Sequence, residues 1–132
     1  MQLDPGTIAY WRDFAPGQDK FVYLLGVSGE GEVLSFTISS QQKYLAFGKT
    51  KADMIEIPFR STDFLTRASY IQCFYEVTRT PIAEFSRLEA NGTITWRGRR
   101  PEFLPRVARI VQASVLLAEE DRDAIRKLIG RT

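Results

Sequence analysis

The spacing of apolar residues changes period once along the chain, and that change separates two kinds of element. Thr7 to Phe14, TIAYWRDF, is rich in aromatic and β-branched residues and predicts a strand, with Ala15 to Asp19, APGQD, as its turn. Lys20 to Val27, KFVYLLGV, is too apolar to face water on either side, so a strand buried on both faces is expected. SGEGE supplies a glycine-rich turn. Val33 to Gln41 then alternates Val33, Ser35, Thr37 and Ser39 with Leu34, Phe36 and Ile38, which is strand periodicity with one polar face. Tyr44 to Ala52 shows no clear period and is expected to be a loop. Short strands are expected in DMIEIPF, bounded by Pro58, and in Ala68 to Tyr75, ASYIQCFY.

Thr80 to Leu88 places Pro81 near a helix start and Ile82, Phe85 and Leu88 three residues apart, which predicts one or two helical turns. Asn91-Gly92 marks a tight turn into a further strand, TITW. From Pro101 onward the period is helical: Leu104, Val107, Ala108, Val111 and Val115 make one apolar face that must pack on the sheet. Glu119 to Gly130 begins with acids and ends with Arg126, Lys127 and Gly130, an order that suits a second helix and its dipole. The expected fold is mainly β: five to seven short strands in a small, strongly bent sheet or barrel, with C-terminal helices closing its open side.

At 132 residues the chain fits a single domain, and 44% hydrophobic with 26% charged residues is the composition of a globular protein. No apolar run is long enough to span a bilayer, and MQLDPGTIAY lacks the basic and apolar regions of a signal peptide, so a cytoplasmic location is expected. The single Cys73 lies in an apolar strand, the setting of an inert core thiol. Histidine is absent. That removes imidazole acid/base chemistry, the Ser-His and Cys-His pairs and histidine-bearing zinc sites, and leaves proton transfer to Asp, Glu, Lys or Tyr. No close acid cluster suggests a metal, and no cofactor is expected. The net charge of +2 is small but uneven: Arg97, Arg99, Arg100, Arg106 and Arg109 fall close together with only Glu102 against them. Such a cluster is either a solvated face or a phosphate-binding patch.

Four segments, taken in order, resemble the MazF/PemK toxin family. The family opens with a strand, a loop and a basic residue before an apolar strand of the type R-P-V-L-V-L; TIAYWRDF, APGQ, Asp19-Lys20 and FVYLLGV occupy those places. Ile38-Ser39-Ser40-Gln41 is similar to the family's I-T-S/A-Q, Asp63 to Ile71 to its G-L/F-x-x-x-S-x-V/I, and Glu76 to Thr80 to its E/D-Q-I-R-T/S. The departures are Lys20 for arginine, Phe21 for proline and Ser39 for threonine.

The resemblance implies an SH3-like barrel that pairs as a homodimer, binds single-stranded RNA and is neutralised by an antitoxin protein whose disordered segment folds across the RNA groove. It also implies metal-independent cleavage, in which a ribose 2′-hydroxyl attacks the adjacent phosphate and leaves a cyclic phosphate and a 5′-hydroxyl. On this reading Lys20 stands beside the scissile phosphate and Ser39 donates a hydrogen bond to it. A lysine binds phosphate as a point charge without the planar two-pronged contact of guanidinium, so weakened catalysis is expected. Asp13 and Glu76 are the leading candidates for the base, ahead of Asp19. Arg12 and Arg79 are candidates to supply the missing guanidinium, and Arg97, Arg99 and Arg100 to hold the RNA backbone. Trp11 and Tyr44, with Tyr10 and Trp96, are candidates to stack unpaired bases. Pro16-Gly17 is either a hairpin corner or a mobile lid. The rival reading is a catalytically weak or inactive barrel that binds RNA or a protein.

Overall fold

The computed structural model describes residues 3–41, 43–74 and 77–129, with the backbone alone at Lys43, Tyr44 and Lys49. Seven strands form one antiparallel sheet: β1 (Thr7–Ala15), β2 (Gln18–Val27), β3 (Glu32–Ser39), β4 (Met54–Ile57), β5 (Ser69–Gln72), β6 (Thr78–Pro81) and β7 (Ile94–Arg99). The order is β4-β5-β3-β2-β1-β7, and β6 pairs with β3. Strand β3 forks: Glu32 to Ser35 pair with β6, while Ile38 and Ser39 pair with β5. The sheet stays open. Register shifts between Trp11 and Ala15 in β1 and between Leu24 and Gly26 in β2 are bulges, which bend the strands that carry them.

Both faces of the sheet are covered, which explains the continuous apolar run of β2. Tyr23 and Leu25 join Ile8, Phe36 and Ile71 on one face, against Val107, Val111 and Ile125 of two C-terminal helices, α3 (Leu104–Ala113) and α4 (Glu119–Ile129). Val22 and Leu24 lie on the other face with Trp11, Val33 and Ile94, under Phe85 of α2 (Ile82–Ala90). Each such side chain, removed from water, contributes about 1.5–3 kcal/mol before chain entropy is counted. Leu104, Val107 and Val111 of the helical face predicted from Pro101 onward therefore pack on the sheet, whereas Val115 lies beyond the end of α3 and is 74% exposed; α4 runs from Glu119, Glu120 and Asp121 to Arg126 and Lys127 as its dipole favours. Gly130 lies outside the described residues.

Three local expectations need correction. The residues expected to form a loop at Tyr44 to Ala52 are helical, with one 3-10 turn at Lys43–Ala46 and a five-residue α1 (Gly48–Ala52), elements too short to show a period. The face of β3 expected to be polar is mostly covered: Ser35 is 1% exposed where Phe85 of α2 packs over that side beside Val33, and Ser39, at the end paired with β5, is 6% exposed. Strand β6 was not expected, since four residues ending in Pro81 read as the approach to a helix. Cys73 is buried and free just beyond β5, and burial raises its thiol far above the ordinary range. The buried Ser114 hydroxyl, after α3, donates to Asp53 Oδ2 at 2.5 Å and fastens the helical layer to the β4 edge; burial holds that carboxyl above its usual range.

Candidate nucleic-acid interface

The β1–β2 hairpin closes on Pro16 and Gly17, with Ala15 opposite Gln18. Gly17 has φ +71, which with a preceding proline matches the demands of a type II corner. Just before it, β1 carries three residues, Arg12 to Phe14, where β2 has only Asp19. The surplus is absorbed at Asp13, whose φ of 51 lies in the left-handed region. Asp19 fastens the bulge: its Oδ1 accepts the Asp13 N–H at 3.0 Å and its Oδ2 accepts the Tyr10 hydroxyl at 2.5 Å. The Tyr10 and Asp13 hydrogen bonds hold the Asp19 carboxyl below the usual range, and the bond to Asp19 in turn raises the Tyr10 phenol. The corner is thus a hairpin braced by its own side chains.

Phe21 pairs with Ile38, and continuing that register by one residue sets Lys20 opposite Ser39. Both line a cavity of about 240 Å³ at the ends of β2 and β3, whose outer wall is the segment from Phe64 to Arg67. The Ser39 Oγ accepts the Gln41 N–H at 3.1 Å, which leaves the hydroxyl proton to donate. Lys20 and Arg67 carry no ion pair among the described residues. The cavity therefore presents an ammonium, a guanidinium and a hydroxyl donor together, a donor set that suits a phosphate. Asp19 is the one carboxylate among its lining residues, and both its oxygens already accept hydrogen bonds.

A second cavity, of about 430 Å³, lies between β7 and the segment from Arg60 to Phe64. Arg97, Arg99 and Arg100 line it from one side and Arg60 from the other. Phe64 belongs to both cavities. Its ring lies 5.2 Å from that of Phe21, which lies 5.0 Å from Tyr10, over which Arg97 sits at 5.4 Å. Together the two cavities are lined by six basic side chains and two acids, a net charge of +4 in a chain whose total is +2. At the other end of β2, the cavity beside α4 is lined by Glu30, Glu32, Glu120 and Asp123 against Arg79 and Lys127. Charge is thus segregated along the sheet.

Of the residues singled out from sequence, Lys20 and Ser39 come together, and Arg97, Arg99 and Arg100 line the adjoining cavity. Arg100 is engaged internally, donating to Glu102 Oε2 at 2.6 Å and to the carbonyl and hydroxyl oxygens of Ser61. Arg12 is exposed on the bulge. Asp13 is exposed there too and does not line the Lys20 cavity. Arg79 lies at the acidic end, bonded to Asp121 at 2.7 Å and facing Glu32 at 3.6 Å, so it cannot assist Lys20. Trp11 is 8% exposed and packs edge-on against Phe14 and Phe85, so its faces are closed to bases. Trp96 is half-buried, and its indole N–H donates to Glu89. Glu76 and the side chain of Tyr44 lie outside what is described. Sequence reasoning passed over Arg60, Phe64 and Arg67, which sit in an irregular stretch where no period marks a surface.

No protein-family model, characterised protein or solved structure matches this chain, so the work of the groove has to be read from its own chemistry.

Proposed function

We propose that this chain is a MazF/PemK-like endoribonuclease that holds the scissile phosphate of single-stranded RNA in the Lys20 cavity and cuts it slowly without a metal. The observation that carries the reading is the meeting of Lys20 and Ser39, the two residues matched to the family's phosphate-contacting positions, in one cavity with Arg67. The 2′-oxygen forms a bond to phosphorus as the bond to the 5′-oxygen breaks; the 2′-hydroxyl proton leaves to water, and the 5′-oxygen takes up a proton. Lys20, Arg67 and the Ser39 hydroxyl meet the charge that grows on the non-bridging oxygens, where preorganised donors contribute most. Arg67 supplies the guanidinium that Lys20 lacks. Partners on this reading are an antitoxin segment that covers the groove and a second copy of the chain.

A second reading, a barrel-like module that binds RNA without cutting it, is favoured by Asp19. A carboxylate with both oxygens engaged and its proton affinity lowered is a poor general base.

Purified protein incubated with mixed-sequence single-stranded RNA in EDTA decides between them. The expected result is cleavage with 2′,3′-cyclic phosphate ends, lost by on the order of a hundredfold or more in Lys20→Ala and kept or raised in Lys20→Arg. RNA binding without cleavage in all three proteins establishes the module; cleavage restored only by magnesium overturns the mechanism.

A further inference from the structure

The segment from Phe59 to Arg67 has no regular structure beyond one 3-10 turn at Phe59–Ser61, yet it is held firmly. The Ser61 hydroxyl donates to the Pro58 carbonyl at 2.7 Å, the Thr62 hydroxyl to the Phe59 carbonyl at 3.1 Å, and the Leu65 N–H to the Thr62 hydroxyl at 3.2 Å. Arg100 reaches across from the end of β7 to Ser61, tying this segment to the opposite wall. The result is a built partition with Phe64 at its middle, lining the Lys20 cavity on one side and the arginine cavity on the other. Phe64 is only half-buried, resting on Phe21. On the arginine side, Arg60 and Arg99 have no ion pair among the described residues.

Cation, partly buried ring, cation is the order of groups along single-stranded nucleic acid: phosphate, unpaired base, phosphate. We propose that the two cavities are one groove for a continuous run of single-stranded RNA, with a phosphate at Arg60 and Arg99, the next base on Phe64 and the following phosphate at Lys20. This rests on the RNA reading above and extends it. It makes the substrate an oligonucleotide rather than any accessible phosphodiester. Arg100 is a positioning residue here, since its guanidinium is spent on Ser61 and Glu102.

The test uses fluorescence anisotropy in EDTA with a 2′-O-methylated eight-nucleotide RNA, which binds but cannot be cut, and with a 2′-O-methylated dinucleotide. Lys20→Ala is expected to weaken both. Arg60→Ala combined with Arg99→Ala is expected to weaken the octamer about tenfold or more and to reduce the slope of log affinity against log salt by about 0.7, the share of the one phosphate no longer neutralised. The dinucleotide, too short to span both cavities, is weakened less. Phe64→Leu is expected to cost the octamer about tenfold. Phe64→Tyr keeps the ring and restores affinity, which separates stacking from any loss of packing against Phe21. Octamer binding that is equal in wild type and in the Arg60/Arg99 and Phe64 variants overturns the continuous groove while leaving the Lys20 site standing. No octamer binding by wild type overturns both.

Discussion

At the scale of single residues, the corner before β2 turns on Asp19, which the sequence presented as a third-choice base. Its carboxylate accepts from Tyr10 and from the Asp13 amide, and these bonds lower its proton affinity. The folded value therefore lies below the unfolded one, near 3.9 for an aspartate. Any stability so gained is fully present above that unfolded value and is lost as pH falls through the folded one. The Tyr10 ring resonances are accordingly expected to shift as Asp19 is protonated in acid in wild type and to stay put in Asp19→Asn. The same acid shift in both would detach Tyr10 from the carboxylate. Lys20, three residues past the corner, was legible from its place ahead of an apolar run; its partner Arg67 was not, because a lone arginine in an irregular segment has no pattern to betray it.

At the scale of elements, Arg79 shows how a basic residue picked from a motif can belong to the frame. From β6 it donates through two guanidinium nitrogens to Asp121 in the first turn of α4, fixing that helix against the sheet. Asp121 is 7% exposed, so removing its partner leaves a buried carboxylate uncompensated. Arg79→Ala is expected to cost about 1.5–3 kcal/mol, the worth of hydrogen bonds to charged groups, in urea unfolding. The salt slope of RNA binding should not move, since Arg79 sits at the acidic end. A lowered slope with unchanged stability would return Arg79 to the interface. Strand β6 escaped notice for a related reason: four residues ending in proline carry too little alternation to be told from a helix approach.

At the scale of the whole molecule, three layers set which aromatic residues can meet a ligand. Trp11 belongs to the layer between the sheet and α2, beside Ile94 and Phe85. Trp11→Ala is expected to cost about 3–5 kcal/mol and to lower the thermal midpoint. RNA affinity of the fraction that remains folded is expected to be close to wild type. Reduced affinity with an unaltered midpoint would restore Trp11 to the groove.

The sequence alone determined the β-rich class, the doubly buried β2, the braced corner's position and the C-terminal helices, because each follows from local period, turn chemistry or charge order. It also carried Lys20 and Ser39 into one hypothesis, through the resemblance of their two segments to a family's phosphate-contacting positions. What tertiary structure decided was the company those residues keep. Whether an arginine faces water, an acid or a groove depends on which strand crosses beside it, and whether a tryptophan is a stacking platform or core depends on which helix lies over it. Pairing of β6 with β3 set Arg79 beside Glu32 and Asp121, and Phe85 of α2 closed over Trp11 of β1, and no short stretch of the chain contains that information.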